Sequence, residues 1–200
     1  ESVNFKHTRV ITLFDGRYDV LVESYLTPRS NEDFRVTPFS MIERDRSEVE
    51  SGFMTYAYLG PVFSLASDKY QKMPFDEIEE KSFSEKSING WVALIQHYFL
   101  SAWVPEQNSS YMYQAKQNSD GSFSVGYAGE SIDVRAETVK SVQTLFVGPK
   151  IPENLNLVHK DLGLAIDYGW LFFLGKPLYW VLNLGYSLFG NWGLSIIFLT

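Results

Sequence analysis

His7, His97 and His159 are the only imidazoles in this chain of 200 residues, and there is no cysteine. Without thiols, disulfides, thiolate catalysis and Cys-ligated metals are excluded. The three histidines fall in an expected strand, an expected helix and a connector. No pair has a metal-ligand spacing such as HExxH. His97 lies on the polar side of its expected helix, and each histidine reads as a surface or hydrogen-bonded polar residue. No GxSxG, Walker-type loop or GxGxxG occurs. Carboxylates are plentiful, but nothing in their spacing selects an acid and base pair. The sequence therefore predicts no catalytic constellation, no metal site and no cofactor, and the chain is not expected to be an enzyme.

The other chemistry that side chains can do is partition between water and lipid, and here the sequence is explicit. From Tyr168 to Thr200, 21 of 33 residues are apolar or aromatic and the sole charge is Lys176. Asp167 and Lys176 cancel, so the formal net charge of -7 belongs wholly to residues 1 to 165. An acidic body without a basic stripe is repelled by phosphate backbones, which argues against nucleic acid as a partner.

The tail divides at Gly190-Asn191-Trp192-Gly193. Pro177 suits a first helical turn, so a helix is expected from near Lys176 to Leu188 or Phe189. Its wheel puts Lys176, Trp180, Asn183 and Ser187 on one face, with Tyr179 and Tyr186 beside them. Leu178, Val181, Leu182, Leu184 and Leu188 fill the rest. A thin polar and aromatic strip on an apolar rod suits the bilayer interface, where Tyr and Trp favour the headgroup level and Lys snorkels towards water. Trp170, Phe172, Phe173, Lys176, Tyr179, Trp180, Tyr186, Phe189 and Trp192 are the candidate interface residues. Leu194 to Thr200 would give only about 10 Å of helix against a hydrocarbon core of about 30 Å, so it is expected to begin a span.

The elements before the tail read mainly as β. Thr8 to Phe14 and Tyr18 to Tyr25 flank Asp15-Gly16, a strong hairpin signal. Pro28, Pro38 and Pro61 cut the following stretch into short pieces, as in a sandwich with antiparallel strands. Asp76 to Lys86, with five acids and two lysines, reads as a solvated surface. Trp91, Leu94, Ile95, Tyr98, Phe99, Ala102 and Trp103 recur at helical spacing within Asn89 to Val104. They predict an amphipathic helix packed on the sheet and stopped by Pro105. Strands are expected at Tyr111 to Ala115, Phe123 to Tyr127, Ser131 to Arg135 and Val142 to Val147. Ile151 to Leu162 is a weakly helical connector. The opening at Glu1, without a methionine or signal-peptide pattern, and the apolar close both suggest a piece of something longer.

Gly90-Trp91-Val92-Ala93-Leu94-Ile95-Gln96-His97-Tyr98-Phe99, continuing through Ser101-Ala102-Trp103-Val104-Pro105, resembles a segment of the bacterial YidC membrane protein insertases. LFVGP (Leu145 to Pro149), DYGW (Asp167 to Trp170), Lys176-Pro177-Leu178 and GNWGLS (Gly190 to Ser195) resemble the same family in the same order. So do Lys69-Tyr70 and Pro74-Phe75-Asp76. The resemblance covers roughly residues 5 to 200. It implies a mainly β fold, a mutarotase-like β-supersandwich with its N-terminal part missing, over residues 1–162. An interfacial amphipathic helix region would occupy 163–190, and 191–200 would start a transmembrane helix. It further implies a protein of the bacterial inner membrane with the β domain in the periplasm. The partners would be the lipid bilayer, nascent membrane proteins, SecDF and the SecYEG translocon. In the family, a water-filled groove carrying an arginine beyond the position of Thr200 receives hydrophilic substrate segments, and that arginine is not in this chain.

Two other readings compete. A soluble carbohydrate- or peptide-binding β-sandwich would use a groove lined by Trp91, Trp103 or Tyr127. A mutarotase-type enzyme would need His97 and His159 to converge in one cleft.

Overall fold

The computed structural model describes residues 5–29, 34–45, 58–134, 137–166 and 172–200, the last stretch without the side chains of 172–174 and 176. It divides into two compact units, one holding the described residues up to Ala165 and one containing Ile166 to Thr200.

The first unit begins as its sequence requires. β1 (Phe5–Leu13) and β2 (Asp19–Pro28) pair antiparallel from Phe5 opposite Pro28 to Leu13 opposite Val20. Gly16 at φ +69° supplies the left-handed backbone that the turn needs. β3 (Phe34–Val36), β4 (Phe39–Arg44), β5 (Gly60–Ser64) and β6 (Gln71–Lys72) follow, then the short helix α1 (Phe75–Glu80) and β7 (Phe83–Ile88). β8 (Trp91–Ile95), β9 (Phe99–Pro105), β10 (Ser110–Gln117), β11 (Phe123–Gly129), β12 (Ile132–Val134) and β13 (Val139–Pro149) complete the strands. The long sheet has the order β1-β2-β13-β9-β8-β5-β6, and the shorter one β4-β11-β10-β7. β12 pairs with β3. β13 returns from late in the chain to lie between β2 and β9, so the sheet is stitched across its middle by its last strand.

The two sheets meet face to face. Phe63 and Val92 of the long sheet, with Leu65 just after β5, close on Tyr113, Phe123, Val125 and Tyr127 of the short one. Phe63 lies edge-on to Tyr113 with ring centres 6.4 Å apart, and Phe75 at the start of α1 meets Phe123 at 4.6 Å. Asp76, Glu77, Glu79 and Glu80 of α1 are exposed while Ile78 is buried, so this acidic stretch is a solvated surface with one apolar anchor. Beyond β13 come α2 (Pro152–Val158) and a single 3-10 turn (Leu162–Ala165), in agreement with the helical reading of this connector. Leu155, Leu162 and Ala165 are wholly buried, and α2 lies against β13.

The amphipathic helix expected over Asn89 to Val104 is not there. The segment is the β8–β9 hairpin, with Ile95 opposite Leu100 and the turn closed by the Gln96 amide donating to the Phe99 carbonyl at 2.9 Å. All five residues of β8 are buried. Val92 faces the sandwich core, so Trp91, Ala93 and Ile95, which alternate with it, face the opposite side and are buried there too. A strand covered on both faces has no polar positions, and an apolar run fits a period of 3.6 as well as one of 2. Of the seven residues expected on one helical face, Ala102 is buried in β9 and the other six are dispersed. Trp91, Leu94 and Ile95 are buried on two sides of the sheet, Trp103 borders the core, and Tyr98 and Phe99 at the turn are 71% and 53% exposed.

Gly90 leads into this strand at a point of close approach. A Cβ built there would overlap the Ser64 carbonyl oxygen and come within 2.8 Å of the Tyr113 hydroxyl. Gly90→Ala is expected to lower stability by about 3 kcal/mol, because backbone must move to admit it. Phe63→Ala, which empties the sandwich centre, should cost about 3 to 5 kcal/mol. Urea unfolding measures both, and a loss below about 1 kcal/mol at either site would contradict the packing described.

Candidate membrane-interface site

The second unit is an apolar helical hairpin. α3 (Phe172–Phe189) is stopped by Gly190, whose φ of +62° and N–H donating to the Tyr186 carbonyl at 2.7 Å give a left-handed cap. Asn191 then opens α4 (Trp192–Leu199), its side-chain oxygen accepting from the amides of Gly193 at 2.8 Å and Leu194 at 3.3 Å. The Gly190-Asn191 break was legible in the sequence. Pro177, expected in the first turn, stands inside α3 because the apolar Phe172 to Leu174 extend the helix one turn further back. The missing N–H costs the helix one backbone bond.

Small residues let the two helices touch. Gly185 is buried, and a Cβ built on it would lie 3.1 Å from that of Ser195, which is wholly buried. The Ser195 hydroxyl donates to the Asn191 carbonyl at 2.8 Å, so its polar atom is satisfied within the hairpin. Close approach through Gly and Ser is how helices associate where no aqueous hydrophobic effect drives them together. Tyr186 stacks on Trp192 at 4.2 Å and 13°, and Phe189 meets Phe198 at 5.9 Å. Sequence reading missed Gly185 and Ser195; the signal available was one small residue on each side of a helix break.

What remains points outwards. Tyr179, Trp180, Tyr186, Phe189 and Trp192, five of the nine candidate interface residues, are exposed, Trp180 at 66%. Phe172, Phe173 and Lys176 belong to α3, but their side chains, like Trp170 as a whole, lie outside the described residues. Leu188 and Ile197 are exposed at 68% and 71%. α3 and α4, whose sequences hold no carboxylate, thus present a largely apolar exposed surface. Among the described residues no helix is long and apolar enough to cross a membrane.

The sandwich carries a separate feature. The β1-β2-β13 part of the long sheet and the β4 edge of the short one enclose an open, largely apolar groove of about 1040 Å³. Val22, Leu26 and Leu145 floor it, with Phe39 and Met41 on its β4 wall. Gln143 of β13 reaches across to that wall: its side-chain oxygen accepts from Ser40 Oγ of β4 at 2.5 Å and from the Tyr127 hydroxyl at 2.6 Å, and burial pushes the Tyr127 phenol well above its ordinary pKa. Of the three aromatics expected to line a groove, only Trp103 does. Trp91 is fully buried and Tyr127 is 2% exposed, because both serve as packing. Trp103 is itself tied, its indole N–H donating to the Met41 carbonyl at 3.3 Å. His97 and His159 do not converge either. His97 sits in the β8–β9 turn, whereas His159 meets Gln107 beyond the far end of β9, about 20 Å away at 3.3 Å per strand residue.

A family model described as the YidC periplasmic domain matches residues 2–181. Curated relatives named membrane protein insertase YidC are 36% identical over 195 residues in Shewanella loihica and 36% over 198 residues in Mannheimia succiniciproducens. In each case 97% of this chain and 36% of the relative are covered. The Pseudomonas putida relative is 36% identical over 189 residues, covering 92% of this chain and 34% of its own length. The chain thus spans about a third of the length of the relatives it matches. With a β-sandwich in the matched region and an apolar helical hairpin at its end, the chain belongs to the YidC periplasmic domain family.

Proposed function

We propose that the chain supplies the periplasmic domain and membrane-interface helices of an insertase that inserts and helps fold proteins of the bacterial inner membrane. The observation that carries this reading is the exposed aromatic and apolar surface of α3 and α4, following directly on a β domain of this family. Lipid is the occupant that such a surface suits. Tyr179, Trp180, Tyr186 and Trp192 provide rings for the headgroup level, while Leu188, Ile196 and Ile197 reach the acyl boundary. α4 has eight residues, about 12 Å of helix at 1.5 Å per residue, which suits the beginning of a span.

In this reading the β domain stands in the periplasm, and the hairpin holds it at the outer surface of the inner membrane. The division of the chain into a body at 1–162, an interfacial region at 163–190 and the start of a span at 191–200 belongs to the same proposal. Nascent membrane proteins are the substrates, and SecYEG and SecDF are the partners the insertase works beside. The work needs no covalent step. A charged group at the bilayer centre costs at least about 2.5 to 3.5 kcal/mol, and an insertase lowers that cost for its substrate. This chain contributes placement on the membrane.

Liposome flotation of the chain beside a version ending at Leu162 tests the anchor: only the longer one should rise with lipid. Trp180→Glu combined with Leu188→Glu should lower the lipid partition constant at least about a hundredfold, since each side chain contributes about 1.5 to 3 kcal/mol on burial. Equal flotation of all three proteins would remove the hairpin from the membrane. For the insertase role, a full-length relative lacking the segment from Asp167 to Phe189 should fail to support growth of insertase-depleted cells. Normal growth would show that the interfacial segment is dispensable.

A further inference from the structure

Where α2 ends, the chain is fastened to the sheet by one fully determined polar chain. The Gln107 side-chain nitrogen donates to the Pro105 carbonyl at 2.7 Å and to the Gly90 carbonyl at 3.4 Å. Gln107 therefore cannot turn over, and its oxygen is the atom facing His159 Nε2 at 3.3 Å. An amide oxygen only accepts, so Nε2 carries the imidazole proton. On the other side of the ring, Nδ1 accepts the Asp161 backbone N–H at 3.2 Å, which requires a lone pair there. Both ring nitrogens are thus committed, and the pattern is complete only for the neutral ring.

We propose that His159 is the pin of a pH-operated clasp holding the α2 and 3-10 segment, the start of the tether to the C-terminal helices, on the sandwich. Protonation would place an N–H on Nδ1 pointing at the Asp161 N–H. The bond is lost and two donors face each other. The turn it closes is the one in which the Leu162 amide bonds the His159 carbonyl at 3.0 Å and the Leu164 amide the Asp161 carbonyl at 3.1 Å. Opening would loosen the segment up to Ala165, where the first unit ends.

The charged groups around the ring are few. Asp161 favours the protonated form, Lys160 on the same turn and Lys69 from the loop after β5 oppose it, and Lys69 pairs with the Asp161 carboxylate at 3.7 Å. Burial of the ring outweighs these and holds its pKa below the ordinary 6.5. The sign follows from proton counting. Near pH 6.5 the open chain binds more protons than the closed one, so the clasp is intact above that pH. It weakens as pH falls towards the lowered value of the folded ring, below which the loss levels off.

Hydrogen exchange of the full chain at pH 7.5 and 5.5, expressed as protection factors, reads the clasp directly. Protection of the amides of Asp161, Leu162 and Leu164 should fall severalfold in acid, up to the limit of about tenfold that one group with an open-state pKa of 6.5 allows over this interval, while that of Val92 and Ala93 in β8 stays constant. In His159→Asn the side-chain oxygen can still accept from the amide two residues on, as an Asx turn, without titrating, so protection should be independent of pH. Wild-type protection that does not change, or a variant that loses protection in parallel with wild type, would overturn the proposal. An NMR titration of the ring gives a second reading. A pKa below 6.5 with the proton on Nε2 is expected, and a value at or above 6.5 would overturn it.

Discussion

Burial of the central strands on both faces is the constraint from which the rest of the β domain follows. β5 and β8 are buried at every position, and β9 over most of its length. A sheet of this kind needs cover on each side; the four-stranded sheet covers one face, and α2 lies against β13. The same demand leaves no room at Gly90 for a side chain, and it places polar atoms only where they can be tied. Gln107, for example, reaches the Gly90 and Pro105 carbonyls at the strand ends. Where the covering sheet stops at β4, the long sheet continues to β2 and β1, and the groove is the space left beyond that edge.

Much of this was legible in the sequence, and the failures have physical causes. The β1–β2 hairpin follows from Asp15-Gly16 between two β-branched runs, and the break between the tail helices from Gly190-Asn191, because glycine and asparagine act through local backbone geometry. The β8–β9 hairpin was misread as a helix because its two-sided burial erased the alternation by which a strand announces itself. Trp91 and Tyr127 were candidates for a groove because aromatics serve binding and packing alike, and only the three-dimensional arrangement separates the two uses. His159 gave no signal at all, since its partner Gln107 lies far off in sequence and neither residue belongs to a motif.

The two units solve opposite solvent problems with the same apolar side chains. In the sandwich, Phe63, Trp91 and Phe123 are withdrawn from water and the acids of α1 face it. In the hairpin the interior is made of small residues, Gly185 and Ser195, while the rings and branched chains are outside. The second arrangement is unstable in water by the logic that stabilises the first. The net charge of -7 is held entirely ahead of the apolar end.

The place of β13 in the long sheet has a consequence for biosynthesis. β2 ends at Pro28, and its neighbour away from β1 is β13, which begins only at Val139. The closing loop is long, its entropy must be met before any pairing rewards it, and such non-local topologies fold slowly. The sheet cannot be completed until Pro149 is available, only a short stretch before the apolar helices begin. An emerging chain therefore presents an unfinished sandwich from β1 through β12, and closure of the sheet and the arrival of the apolar helices fall almost together in time.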